Sequence, residues 1–392
     1  MTVIILSCRV PLRRNRTGFS RMINATPSVF DASLSRSGST GIDSFVDRYA
    51  PDVEYTYYGA GKIALRDGLA GLVEPGGNVL VPAYLSPAVV EPFRDLGLEP
   101  RFYAVEETLA PDFADLEDRI DDDTVAITSV NYFGFPQPGL RRLASLADDH
   151  DCYHIDDNAH APLSVADDRL LGTHGDLGIA TLRKLLPVPD GAVLYRRDDE
   201  VREAFDPSSL AGTADRVAAT DYRFVATSVA ERVSPTLLRS IESVLDDGPD
   251  DSSSVDPEAR YEAAKIPMSK FSARVAAAAN PEAIRDARRE NFRAWRDVLE
   301  ARDDVRLLYE ELSAGLSPYE FPVRADDQAA LLDELADAGV AGAHTWPILR
   351  ESVHENAAYE TANRLANEIV VLPVHQGIEP AAIEAVGDRL RR

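Results

Sequence analysis

Between Gly59 and about Arg197 the chain alternates short β-branched runs with helix-like segments, and few folds accommodate that alternation. GKIALRDGLAGLV reads as a helix and NVLVPAY as a strand; SPAVVEPFRDLG and PRFYAV repeat the pair. FADLEDRI, TVAITSVNYF, LRRLASLADDH, CYHIDDN, LGIATL and GAVLYRR continue the pattern. Strands separated by helical connections and apolar on both faces predict an α/β fold with a mostly parallel central sheet covered by helices. In such sheets functional side chains gather at the carboxyl ends of the strands.

The alternation stops before DDGPDDSSSVDPEA (246–259), an acidic Ser/Pro stretch without apolar periodicity that reads as a linker or loop. Beyond it NPEAIRDARRENFRAWRDVLEAR carries the start signals and spacing of a long helix. VRLLY, YEFPVRA and EIVVLPV read as strands, and QAALLDELADAG and PAAIEAVGDRLRR as helices. The expected organisation is therefore an N-terminal arm over 1–45, a large α/β domain over 46–245, the linker, and a smaller α+β domain over 260–392. A chain of 392 residues is long enough for this. The first 21 residues, with Arg9, Arg13, Arg14, Arg16 and Arg21, differ in charge from the rest. They are either a flexible arm or a stretch upstream of a true start at Met22.

With 66 acids against 41 bases the net charge is −25. Such self-repulsion is tolerated where salt is high, since the Debye length falls to about 3 Å at 1 M. A salt-adapted, haloarchaeal-type cytoplasm is expected. Nucleic acid and anionic membranes, which select a basic footprint, are excluded as partners. Two distant cysteines, Cys8 and Cys152, predict no disulfide framework and a reducing compartment. VIIL at the N-terminus is too short for a signal sequence, and no apolar run approaches the roughly 18 residues of a membrane span.

Only four of the 41 basic residues are lysines: Lys62, Lys184, Lys265 and Lys270. A chain that uses arginine almost everywhere keeps lysine for a task arginine cannot perform, such as attack on an aldehyde by a deprotonated amine. Lys184 lies 27 residues after Asp157, which ends the strand CYHIDDN. A lysine for an aldehyde and an acid for a ring nitrogen are two of the four requirements of pyridoxal 5'-phosphate, the others being an aromatic face and backbone donors for the phosphate. Asp157 is the candidate acid, although Asp156, Asp157 and Asn158 could equally cap the strand. YYGAGKIALRDGL starts a helix at Gly61 and Lys62, where free N–H groups attract an anion, and Thr181 offers a hydroxyl nearby. A nucleotide P-loop is excluded, because Thr56 and Ile63 stand where Gly and Ser/Thr are required. Tyr84 is the best-placed aromatic for the ring face, with core packing as the alternative. His150, Cys152, His154, His160 and His174 show none of the usual zinc spacings, and no metal is expected. His160 is assigned instead to the cofactor's hydroxyl or face.

These segments resemble the DegT-type sugar aminotransferases, a fold-type-I pyridoxal phosphate family. The resemblance runs from about Glu54 to the C-terminus, most clearly in AGKIAL, VPAY, NYFGFP, IDDNAH, GDLGIATLRK with PVPDG, PMSKFSA and EIVVLPVHQGI. It implies that Asp157 holds the ring nitrogen, that His160 stands where the family has Gln, that Lys184 bonds the cofactor, and that Thr181 replaces the phosphate-binding Ser. The family's Ser-Gly-Thr turn is here Ala60-Gly61-Lys62, and the aromatic pair before the lysine is missing. The resemblance further implies a homodimer whose sites are completed by the neighbouring subunit. The partners it implies are a glutamate or glutamine donor and a keto acceptor, a nucleotide-linked keto-sugar. A lyase or dehydratase on the same scaffold, or a cofactor-binding regulatory protein without turnover, remain the alternatives.

Overall fold

A computed structural model of the chain describes residues 22–28, 40–233 and 256–391. Strands β1 (Glu54–Tyr58), β2 (Asn78–Pro82), β3 (Glu99–Tyr103), β4 (Thr124–Val130) and β5 (Tyr153–Asn158) are followed by a two-stranded hairpin, β6 (Val165–Ala166) with β7 (Arg169–Leu170). Then come β8 (Leu177–Thr181) and β9 (Ala192–Arg196). Seven of them form one sheet in the order β1-β9-β8-β5-β4-β2-β3. Strands β2, β8 and β9 are buried at every position, as a sheet covered on both faces requires. The edge strands β1 and β3 are each buried at a single residue.

The pairs β2–β3, β2–β4, β4–β5 and β5–β8 are parallel. β9 instead runs antiparallel to both β8 and β1. Parallel pairing is expected from the alternation, but only a 3₁₀ turn at Leu182–Lys184 and a loop to Gly191 lie between β8 and β9. That is too short for the crossover of a dozen or more residues that a parallel neighbour needs. The helix expected over SPAVVEPFRDLG is likewise divided, into a 3₁₀ turn Pro87–Val90 and a helix Glu91–Asp95. Pro92 lacks the N–H to continue one ladder across the junction.

In the C-terminal part β10 (Val305–Leu307), β11 (Glu320–Ala325), β12 (His344–Thr345) and β13 (Ile369–Pro373) form an antiparallel sheet in the order β10-β11-β13-β12. The long helix spans Pro281–Leu299; the Asn280 side chain caps it at Ala283 N, and Pro281 occupies its first turn. Its buried stripe runs through Ile284, Arg288, Phe292, Trp295 and Leu299, so one arginine occupies an apolar position. Most of the linker expected over 246–259 and all of residues 1–21 lie outside the described residues. The linker's last residues open the helix Pro257–Ala263, capped by Asp256. Residues 22–28 lie against the C-terminal part through Ile23 N to Gly339 O at 2.9 Å and Gly342 N to Ile23 O at 3.0 Å. No helix among the described residues is long and apolar enough to cross a membrane.

Candidate functional site

Strand alternation separates the two adjacent acids of β5. Asp156 accepts from Gly172 N at 2.8 Å, His174 N at 3.0 Å and Asn131 Nδ2 at 2.7 Å, a set that ties β5 to β4 and to the loop before β8. Asp157 points the other way, 4% exposed. Its carboxylate accepts one hydrogen bond among the described residues, from Ala159 N to Oδ1 at 2.9 Å. Burial pushes this acid up to about 6, against the opposing pull of the Ala159 N–H and the Lys184 charge. A buried carboxylate so sparsely bonded is suited to a cationic N–H donor.

Lys184 ends the 3₁₀ turn that follows β8, half-buried, with its Nζ 5.6 Å from the centre of the Tyr319 ring. Its charge acts on Asp157, on His160 and on the buried Glu320. His160 is buried between Tyr319, 5.1 Å away, and Trp346, 4.9 Å away. Burial holds its imidazole well below the ordinary range, and Lys184 and His344 act in the same direction. Nδ1 accepts from Phe133 N at 3.4 Å, which leaves the proton of the neutral ring on Nε2.

The turn carrying Lys184 is tied to the start of the helix Gly61–Leu69. Leu182 N donates to Gly191 O at 2.8 Å, and Gly191 N to Gly59 O at 2.7 Å. Gly191 has φ +125°, a conformation only glycine adopts freely, and the buried carboxylate of Asp190 beside it accepts from Ser269 N at 2.8 Å. The helix opens from extended Ala60 with no side-chain cap. A Cβ on Gly61 would lie 3.2 Å from Thr181 Oγ1 and 3.1 Å from Ile179 Cδ1, so the uncapped helix start and the Thr181 hydroxyl adjoin. Lys62 is the second residue of this helix and is half-buried. Uncapped N–H groups at a helix start, next to a hydroxyl, match an anion.

Asp157, His160 and Lys184 therefore share one electrostatic neighbourhood, while Gly61 and Thr181 form a second group joined to it through the lysine turn. Tyr84 lies in an aromatic cluster that reaches this neighbourhood through Trp346. Its hydroxyl donates to Trp346 O at 2.5 Å, and its ring meets Tyr132 at 5.6 Å and Trp346 at 5.4 Å, edge on. The aromatic rings against His160 are those of Phe133, Tyr319 and Trp346, none of them singled out from sequence. Tyr319 and Trp346 come from the C-terminal part, as do Glu320 and His344, which face each other at 3.5 Å. A glutamate opening the strand EFPVRA and a tryptophan before a proline were the only local signals for them.

The profile of the DegT/DnrJ/EryC1/StrS aminotransferase family matches residues 59–391. GDP-perosamine synthase of Vibrio cholerae is 28% identical over 165 residues, which are 40% of this chain and 45% of that protein. The chain thus spans less than half the length of the curated relative it matches. Among solved structures, the aminotransferase TlmJ from Streptoalloteichus hindustanus is 22% identical with a TM-score of 0.64, covering 94% of this chain and 98% of the other. PseC of Helicobacter pylori, an aminotransferase of pseudoaminic acid biosynthesis, is 12% identical with a TM-score of 0.68 over 95% and 98%. At these identities the structural likeness establishes the fold, that of the fold-type-I enzymes. With the profile covering most of its length, the chain belongs to the DegT/DnrJ/EryC1/StrS aminotransferase family.

Proposed function

We propose that this protein is a pyridoxal 5'-phosphate-dependent aminotransferase that moves an amino group from glutamate or glutamine to a nucleotide-linked keto-sugar. The observation that carries the reading is the sparsely bonded, buried Asp157 within the field of Lys184. Family membership and the name of the perosamine-forming relative support it. Bound here, pyridoxal phosphate supplies an electron sink that eases breaking of the C–H bond beside an amine. Asp157 would accept from the ring N–H, and the Gly61 and Lys62 N–H groups with the Thr181 hydroxyl would take the phosphate. His160, its ring set against Tyr319 and Trp346 and its proton on Nε2, would meet the cofactor's hydroxyl or face. Lys184 would serve as the base that takes a proton from the donor's α-carbon and as the acid that gives it back.

A screen of amino donors against keto-sugar nucleotides, followed through the visible spectrum, tests the reading. Glutamate or glutamine should convert the bound cofactor to its amine form, and one acceptor should reverse the change. Release of a keto product without consumption of a donor indicates elimination instead. A cofactor fixed on Lys184 with no turnover toward any pair indicates a binding protein.

The reading extends to a homodimer in a salt-adapted cytoplasm. With 66 acids against 41 bases, repulsion reaches roughly 10 Å at 0.1 M salt and about 3 Å at 1 M. The melting temperature should therefore rise from dilute buffer to molar potassium chloride, and rise less in a variant with several surface Asp replaced by Asn. Equal salt responses of the two proteins would remove the halophilic assignment.

A further inference from the structure

One buried group in this region has no part in the chemistry above. Arg288 is 1% exposed, in the middle of the apolar stripe of the long helix. Its Nε donates to Gln376 Oε1 at 3.0 Å. Nη1 donates to Pro318 O at 3.1 Å and Tyr319 O at 3.2 Å. Nη2 donates to Leu185 O at 3.3 Å and Lys184 O at 3.4 Å. Gln376 completes the arrangement, its Nε2 donating to the same Leu185 O at 2.9 Å. One planar guanidinium thus gathers the backbone of the lysine turn, the backbone leading into β11 and the loop after β13. Only arginine offers a fixed fork with enough donors for these acceptors; a lysine would carry the charge but not the geometry.

We propose that Arg288 and Gln376 are positioning residues that set the reach of Lys184 toward Asp157 and the distance between Lys184 and the Tyr319 ring. Lys184 sits on a turn held on one side by Gly191 and Gly59 and on the other by this pair. The pair grips Tyr319 by its carbonyl and Lys184 by its own and the next carbonyl, so the two cannot drift apart without breaking buried hydrogen bonds. Tyr319 in turn lies 5.1 Å from His160, so a shift of this backbone would displace three members of the site together. The clamp's effect on turnover rests on the proposed aminotransferase function; its effect on the backbone does not.

The test compares Arg288→Met, Arg288→Lys and Gln376→Leu with Ile284→Ala, a buried control one turn earlier in the same helix. Each protein is incubated with pyridoxal 5'-phosphate well below its melting temperature, and borohydride reports how fast the cofactor becomes fixed on Lys184. Arg288→Met should slow fixation and turnover by about 100-fold, the scale of a 1 Å misplacement. The donor KM should stay near the parent's, Gln376→Leu should lose less, and Arg288→Lys should recover part of the loss. Ile284→Ala should lower the melting temperature while leaving fixation unchanged. Hydrogen exchange across 182–191 and at Tyr319, measured without cofactor, should quicken in Arg288→Met and Gln376→Leu and not in the control. If Arg288→Met does not fold, Gln376→Leu decides. Fixation and exchange equal to those of the control would overturn the clamp. A parent that never fixes cofactor on Lys184 would instead overturn the proposed function and leave the exchange result to judge the clamp.

Discussion

Lys184→Arg should fold like the parent and lose turnover by about 1,000-fold or more, within the range expected when a positioned proton-transferring group is removed. The substitution keeps a cation beside Asp157, His160 and Glu320, whose ionisation responds to Lys184, so the electrostatic balance of the buried site is largely kept. What it removes is an amine able to lose its proton; a guanidinium retains its own throughout the accessible pH range. Bound cofactor should then be released by dialysis rather than fixed by borohydride. Peptide mapping of the reduced parent provides the companion measurement: a label on Lys62, Lys265 or Lys270 would move the reactive amine elsewhere, and parent-like turnover of Lys184→Arg would end the assignment.

Asp157→Asn should act in opposite directions on the empty and the loaded protein. In the empty protein, burial has raised this acid from 3.8 to about 6, so the ionised side chain opposes folding at neutral pH. A shift of that size corresponds to about 3 kcal/mol. The amide can still accept from Ala159 N, so the variant without cofactor should melt higher than the parent at pH 7.5. Because the folded-state value lies above the unfolded one, the parent loses this stability as pH rises from about 4 to about 6. The advantage of the Asp157→Asn variant should accordingly be complete above about 6 and vanish below about 4. With cofactor the order reverses, since a neutral amide no longer favours a ring cation: affinity and turnover both fall. Calorimetry on the two proteins across that pH range is decisive. A variant no more stable than the parent when empty would mean that Asp157 already has a cationic partner, and parent-like activity would leave it a strand cap.

Much of the seven-stranded sheet was legible because its signals are local. The runs forming β2, β4 and β8 carry their apolar character within five to seven residues each. The direction of β9 was not, because it depends on connection length rather than on the composition of AVLYR. Two-residue strands such as β6 and β7 leave no periodicity to read. In the site, Asp157, His160 and Lys184 come from two neighbouring strand ends of one sheet, and a single stretch of sequence displays them. Arg288 reaches the lysine turn from 104 residues away, and Trp346 reaches Tyr84 from 262. The long helix was visible from its periodicity, yet nothing within it tells that the arginine in its apolar stripe is satisfied by carbonyls of three other segments.

The antiparallel seam between β1 and β9 also orders events during synthesis. Glu54 and Arg196 meet across that seam although 142 residues separate them, and the helix carrying Gly61 follows directly from β1. The β1–β9 pairing, and with it the link from Gly191 N to Gly59 O that ties the lysine turn to the helix start, therefore cannot form until β9 has left the ribosome, whereas β5 and β8 can pair earlier. A long loop must close before that contact forms, which makes it a slow step in assembly. Any anion held at the seam binds only the closed state and shifts the equilibrium toward it by mass action. If the proposed function holds, a phosphate taken up between Gly61 and Thr181 would also latch the sheet's most distant pairing.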